Sequence, residues 1–297
     1  MRGSAEISMD PGNRSKVLLL GNGLLRLSGG INWSDLLQGI PGGQKISPDA
    51  LEAIPYNMRA EAVCGTDIES IRRSTAFTMK DCLSVSSKLQ DLLQEDFDCI
   101  LTTNYTYEIE TLLSGKPFSK IRRKSIRTFG KQLRHTNMSQ CYEVVTPSGK
   151  SVQVWHIHGD AVRSSSMVLS YYSYAKVISE LVEYSKIKRN IYYELQQSQR
   201  PLQVESWLDW FITGDVYSVG FGWDFSEIDL WWAAERKCRE HAKTGMLYCF
   251  FFDKDGNVRS KEKLLKSMNA DVRVIKLGSY PEGFQTINNE IHALLHS

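Results

Sequence analysis

The chain has 297 residues, 42% hydrophobic and 24% charged, the balance of a folded globular chain and not of a disordered or fibrous one. Its 36 basic and 34 acidic residues leave a formal net charge of +2, so overall charge does not point to nucleic acid or an anionic membrane as the main partner. No window approaches the ~18 consecutive apolar residues of a membrane span, and the six cysteines lack the Cys-x-x-Cys spacing of redox and zinc sites. A cytoplasmic protein with reduced thiols and no membrane contact is the expectation.

Residues 1–15 carry no apolar leader segment and read as a disordered or tag-derived tail ahead of one domain over 16–297. Strand-length apolar runs then recur at Lys16 to Leu20, Cys99 to Thr103, Val152 to Ile157, Val216 to Gly220, Leu247 to Phe252 and Val272 to Leu277. They are near-continuous rather than alternating, which marks strands covered on both faces. Helical periodicity fills the gaps, as in Ile68 to Leu93 and in Ile228 to His241, where Glu227 and Asp229 occupy the first turn. The alternation predicts an α/β fold with a doubly wound parallel sheet.

Two insertions interrupt it. Residues of about 34–97 are mostly helical in pattern, and residues of about 115–150 form a basic stretch carrying Lys116, Lys120, Arg122, Arg123, Lys124, Arg127, Lys131 and Arg134. That stretch fits a phosphate or nucleic-acid contact, or simply a solvated loop or hairpin.

Chemistry-bearing residues gather where strands end. After the first strand comes Gly21-Asn22-Gly23, a tight turn whose glycines let backbone approach a pyrophosphate, but the third glycine of G-x-G-x-x-G is replaced by Arg26. The second strand runs into Thr102-Thr103-Asn104, where Asn104 has an amide to fix a water or a ribose hydroxyl, or else caps a turn. The third carries His156-Ile157-His158-Gly159-Asp160. On a continuing strand the two histidines share a face, and three readings stand: His156, His158 and Asp160 bind a metal, His158 acts as a general base while His156 packs against the sheet, or both histidines are purely structural. The fourth ends in Gly220-Phe221-Gly222-Trp223-Asp224, a second glycine turn. There Asp224 either accepts from a ribose or, with Ser226, caps the next helix. The tryptophans Trp207, Trp210, Trp223, Trp231 and Trp232 fall at helical spacing and read as core.

In their order, Gly-Asn-Gly, Leu-Thr-Thr-Asn-Tyr, His-Ile-His-Gly-Asp and Ser-Val-Gly-Phe-Gly-Trp-Asp-Phe-Ser-Glu-Ile-Asp resemble the sirtuin-like domain of proteins related to the silent information regulators, over about Lys16 to Leu277. The resemblance implies a Rossmann-like sheet with a smaller helical module and NAD as the ligand. It places Gly21, Asn22, Gly23 and Thr103 with the nucleotide, Asn104 and His158 as the catalytic pair, and Gly220, Gly222 and Asp224 near the adenosine ribose. Three departures matter. No zinc-binding cysteine quartet is present, Asn22 and Leu24-Leu25 depart from the family's Gly-Ala-Gly-Ile-Ser, and Thr106 stands where deacylases have an Asp that helps hold the nicotinamide amide. The chain is therefore more similar to the zinc-free bacterial branch associated with NAD hydrolysis in anti-phage defence.

The resemblance implies an NAD glycohydrolase that consumes NAD as substrate, needs no metal, and works as a homo-oligomer or beside a defence partner subunit. Nucleic acid would be met only through Lys116 to Arg134. Two alternatives stay open: an NAD-binding scaffold subunit with little or no turnover, and a metal-dependent hydrolase using His156, His158 and Asp160.

Overall fold

The computed structural model describes residues 8–9, 14–31, 33–65, 67–80, 83, 85–126, 136–197, 202–240 and 245–297. Its strands are β1 (Ser8–Met9), β2 (Lys16–Leu20), β3 (Cys99–Thr102), β4 (Arg122–Ser125), β5 (Gln140–Val145), β6 (Ser151–His156), β7 (Leu202–Gln203), β8 (Asp215–Val219), β9 (Leu247–Phe252) and β10 (Asp271–Ile275). Most of the expected tail lies outside the described residues, but β1 pairs antiparallel with β7. The other eight strands form one sheet in the order β10-β9-β8-β2-β3-β6-β5-β4.

All pairings from β10 across to β6 are parallel. The parallel strands step outward from β2 through β3 to β6, then restart on the other side of β2 at β8 and continue through β9 to β10. This is a Rossmann-like doubly wound sheet whose direction of winding reverses between β2 and β8, where such sheets open a crevice at the strands' carboxyl ends.

Burial on both faces explains the unbroken apolar runs. Val17 and Leu19 of β2, with Cys99, Leu101, Trp155, Val216 and Phe251, pack under the helices Trp207–Thr213 and Ile228–Arg239. Leu18 and Leu20 project to the other face, with Ile100, Val154, Val219 and Phe252, under the helices Ser87–Leu93 and Tyr280–Leu295. Successive residues of one strand thus enter two cores. Trp207, Trp210 and Trp223 are buried there as core residues.

The helical insertion has a core of its own. Helices Trp33–Gln38, Pro48–Glu52, Arg59–Cys64 and Ile68–Met79 enclose Leu37, Ile40, Leu51, Val63 and Ile71 against Met167 and Leu169. The periodic segment from Ile68 to Leu93 is two helices instead of one. The carboxylate of Asp67 accepts from Ser70 N to start the first, and the hydroxyl of Ser86 accepts from Leu89 N to start the second.

The basic insertion includes a hairpin, one of the two plain readings of its composition, and this hairpin extends the sheet with antiparallel strands at its edge. β4 pairs with β5 and β5 with β6, both antiparallel. Arg122 and Arg123 are exposed along β4, and Lys124 pairs with Glu143; Arg127, Lys131 and Arg134 lie outside the described residues.

At the winding reversal, the loops after β2 and β8 touch backbone to backbone. Gly21 N donates to Val219 O at 3.0 Å and Gly23 N to Gly220 O at 2.9 Å. A Cβ on Gly21 would sit 2.4 Å from Gly220 O and 2.5 Å from Phe221 Cα, so only glycine allows the contact, and Gly220 adopts φ +61°. Gly21→Ala is expected to lower stability by ~1–3 kcal/mol, read as a lower urea midpoint at unchanged slope. An unchanged midpoint would show that the loops can separate freely.

Candidate functional site

A cavity of about 890 Å³ opens over this reversal, a volume suited to a nucleotide-sized ligand. Asn22, Gly23, Thr103, Asn104, His158, Gly220, Gly222 and Asp224 line it, with residues of the helical insertion from Trp33 to Tyr56. Asn57 Nδ2 donates to Ser226 O at 3.0 Å, which ties that insertion to the loop after β8. Gly21 acts one layer below: its N–H, like that of Gly23, is engaged by the β8 loop. These two glycines permit the contact between loops and do not offer those amides to a phosphate.

Asn104 is held at its backbone and at its side chain. Its N–H donates to Thr102 Oγ1 at 3.1 Å, whose hydroxyl in turn donates to Leu20 O, and its Nδ2 donates to Gly21 O at 3.3 Å. Beneath it, His156 Nδ1 lies 2.6 Å from Asn104 O and His156 Nε2 lies 2.7 Å from Glu110 Oε1. The backbone carbonyl can only accept, so Nδ1 donates to it, and Glu110 beside Nε2 favours the protonated ring. Burial pulls its pKa down, but the Glu110 charge and hydrogen bond outweigh that and raise it.

His158 belongs to a different cluster. β6 ends at His156, and Gly159, at φ +87°, turns the chain. Asp229 Oδ2 accepts from His158 Nε2 at 2.9 Å, Glu227 Oε2 lies 3.7 Å away, and the Tyr174 ring stands edge-on at 5.4 Å. Tyr174 OH also donates to Glu227 Oε2 at 2.9 Å. Burial lowers the imidazole's pKa, but Asp229 and Glu227 together more than offset it and hold it at about 9. Burial lifts the Glu227 carboxyl to about 7, against the pull of His158.

The metal trio that the spacing offers as an alternative is therefore not assembled. His156 faces Glu110, His158 faces Asp229, and Asp160 accepts from Tyr107 OH at 2.8 Å and from Arg163 Nη2 at 2.7 Å. The physical reason is the early strand end, which removes the period of two that would have kept the histidines on one face. The donors that do converge are His158, Glu227 and Asp229, within 4.8 Å of one another, and this set could hold a cation.

Asp224 closes a turn instead of capping the following helix. Its Oδ1 accepts from Ser226 N at 2.9 Å and from Ser226 Oγ at 2.6 Å, while the helix Ile228–Arg239 begins with Glu227 at its N-cap. Trp223 just before it has φ +46°, a strained conformation that costs ~1–3 kcal/mol. Its burial and a 2.9 Å bond from Nε1 to Ser218 Oγ hold it there. Lys261 Nζ donates to Gly222 O at 2.8 Å and braces the same loop.

Sequence reasoning misses Glu227, Asp229, Tyr174 and Glu110 as site residues. Glu227 and Asp229 read as ordinary acids at a helix start, and their contact with His158 spans about seventy positions.

Fold and cavity define a doubly wound α/β protein with its crevice at the winding reversal. The SIR2-like domain model matches residues 98–272, more than half of the chain, and the chain belongs to that family. A SIR2-like domain implies NAD as ligand or substrate, and the loop after β8 fits it at Gly222, which lines the cavity and whose Cβ position faces open space that a side chain would take up. Asn104, His158, Gly220, Gly222 and Asp224 fall inside the match, whereas Gly21-Asn22-Gly23 precedes it. No curated protein matches the chain.

The charge cluster has a signed consequence for stability. His158 is raised from 6.5 and Glu227 from 4.5, so the folded chain holds protons that the unfolded chain releases. Their combined contribution is fullest below about pH 4.5 and is lost as pH rises through about 9. In an NMR titration His158 should titrate near 9, and in Asp229→Asn well below that. An identical titration in the variant would remove Asp229 as the cause.

Proposed function

We propose that this protein is an NAD glycohydrolase that cleaves the bond between nicotinamide and ribose and releases nicotinamide and ADP-ribose. The observation that carries the reading is that Asn104 and His158 both line the cavity at the β2/β8 reversal, each held by buried partners. The nicotinamide of NAD is already a cationic leaving group. The site has only to hold the ribose, support positive charge at its C1′ carbon and direct a nucleophile.

In this reading the C1′–N bond breaks with its electron pair going to the pyridinium, which leaves as neutral nicotinamide. A water oxygen bonds to C1′, and its proton passes to the protein. Asn104, braced through Thr102 and the β2 loop, orients the water or the ribose hydroxyls. His158 takes the proton: the bond from Nε2 to Asp229 fixes the tautomer whose Nδ1 bears the lone pair, and Asp229 then stabilises the imidazolium. In the free protein the carboxylates favour the protonated ring, whereas a bound pyridinium opposes that second positive charge and favours the neutral base. Thr106, buried beside Asn104, leaves the nicotinamide amide to other groups in the cavity.

The biological reading is a cytoplasmic defence effector that depletes NAD, controlled by homo-oligomer assembly or a partner subunit. The exposed cations of β4 and its approach, Lys116, Lys120, Arg122 and Arg123, support a nucleic-acid contact as one trigger. Thr106 favours the second reading, an NAD-binding scaffold subunit without turnover. NAD that stabilises the chain without releasing nicotinamide at any protein concentration would select it.

Asn104→Ala and His158→Ala are each expected to lower kcat for nicotinamide release at least ~100-fold with folding intact. Full activity in both would sink the assignment, and activity abolished by chelator would move it to the His158, Glu227 and Asp229 cluster. Because kcat/KM reports the free protein, it should climb with pH toward about 9. A profile flat from pH 6 upward would exclude His158 as the base.

A further inference from the structure

A second side-chain cluster lies at the opposite edge of the sheet and takes no part in the cavity. Glu95 sits in the turn between the helix Ser87–Leu93 and β3, so it stands at the amino end of that strand. His292 and His296 lie one turn apart at the end of the helix Tyr280–Leu295, a spacing that stacks two imidazoles on one face.

The three side chains converge. His292 Nδ1 is 2.9 Å from Glu95 Oε1 and His296 Nε2 is 3.4 Å from Glu95 Oε2. One donor atom from each residue falls within a common 4.8 Å. A tetrahedral ion with bonds of about 2.0–2.2 Å sets neighbouring donors roughly 3.3–3.6 Å apart, so small rotations of the imidazoles, 64% and 52% exposed, bring all three into register. Glu95 is the fixed member, its side chain only 16% exposed.

We propose that Glu95, His292 and His296 form a surface site for a borderline divalent transition metal, zinc(II) foremost, with water completing the shell. Two imidazoles and one carboxylate favour this class over magnesium or calcium, which seek oxygen-rich shells. The ion clips the C-terminal helix to the turn that leads into β3. Hydrogen bonds already hold that helix against neighbouring elements: Asn288 Nδ2 donates to Lys88 O of the helix Ser87–Leu93 at 3.0 Å, and Lys16 Nζ, at the start of β2, donates to Leu295 O at 3.1 Å. The role is structural, since none of the three residues lines the cavity.

The test titrates zinc(II) alone into the full chain by calorimetry, with thermal unfolding in parallel. The wild type should take up at least one equivalent at micromolar zinc, and its Tm should rise by a few degrees. His292→Ala and His296→Ala, both at exposed positions, should each weaken that equivalent at least tenfold and lose the Tm response. Nicotinamide release without added metal should be unchanged in both, which separates this site from the cavity cluster and from the proposed reaction. No uptake by the wild type, or uptake and Tm response equal in both variants, overturns the proposal.

Discussion

The loops after β2 and β8 can lie against each other because Gly21 presents no side chain there. Gly220 O would stand 2.4 Å from a Cβ on Gly21, so any larger residue would push the loops apart. Everything above the sheet edge inherits its position from this contact. Thr102 hydrogen-bonds Leu20 O, Asn104 reaches Gly21 O, and the β8 loop carries on through strained Trp223 to Asp224 and the helix that presents Asp229. A doubly wound sheet gives the crevice for topological reasons; the glycine contact lets the two loops close together beneath it.

Two buried histidines stand two residues apart and do different work. His156 lies beneath Asn104, held between a backbone carbonyl and Glu110, which favours its protonated form. Burying such a pair is costly; both ring nitrogens of His156 have partners, while Glu110 Oε2 is left without one. His158 faces two carboxylates at the cavity wall, where a ligand's charge can shift its protonation. The chain thus places a positioning histidine under one residue of the proposed catalytic pair and a titratable one at the other.

Much of this is legible in the sequence. The six parallel strands announce themselves because burial on both faces demands unbroken apolar runs, and each run matches a strand to within two residues at either end. Asn104, His158 and the glycine loops can be placed at the cavity because they directly follow those runs. The edge hairpin is harder to read: Arg122-Arg123-Lys124-Ser125 has no apolar pattern, and it is a strand because it pairs with β5. The metal reading of His156, His158 and Asp160 fails because it presumes that β6 continues, whereas it ends at His156 and Gly159 turns the chain. Glu227, Asp229 and Glu110 give no local signal, since carboxylates in a first helical turn are ordinary dipole partners. Only the tertiary fold brings them to the histidines.

The central claim is that this cavity cleaves the nicotinamide–ribose bond with water as the acceptor. Its most direct test is to incubate the purified chain with NAD in ¹⁸O-enriched water and to read the products by mass spectrometry. The account predicts free nicotinamide and ADP-ribose bearing one heavy oxygen at C1′. NAD recovered intact at every protein concentration, or nicotinamide released with the ADP-ribose carried to an acceptor other than water, would contradict it.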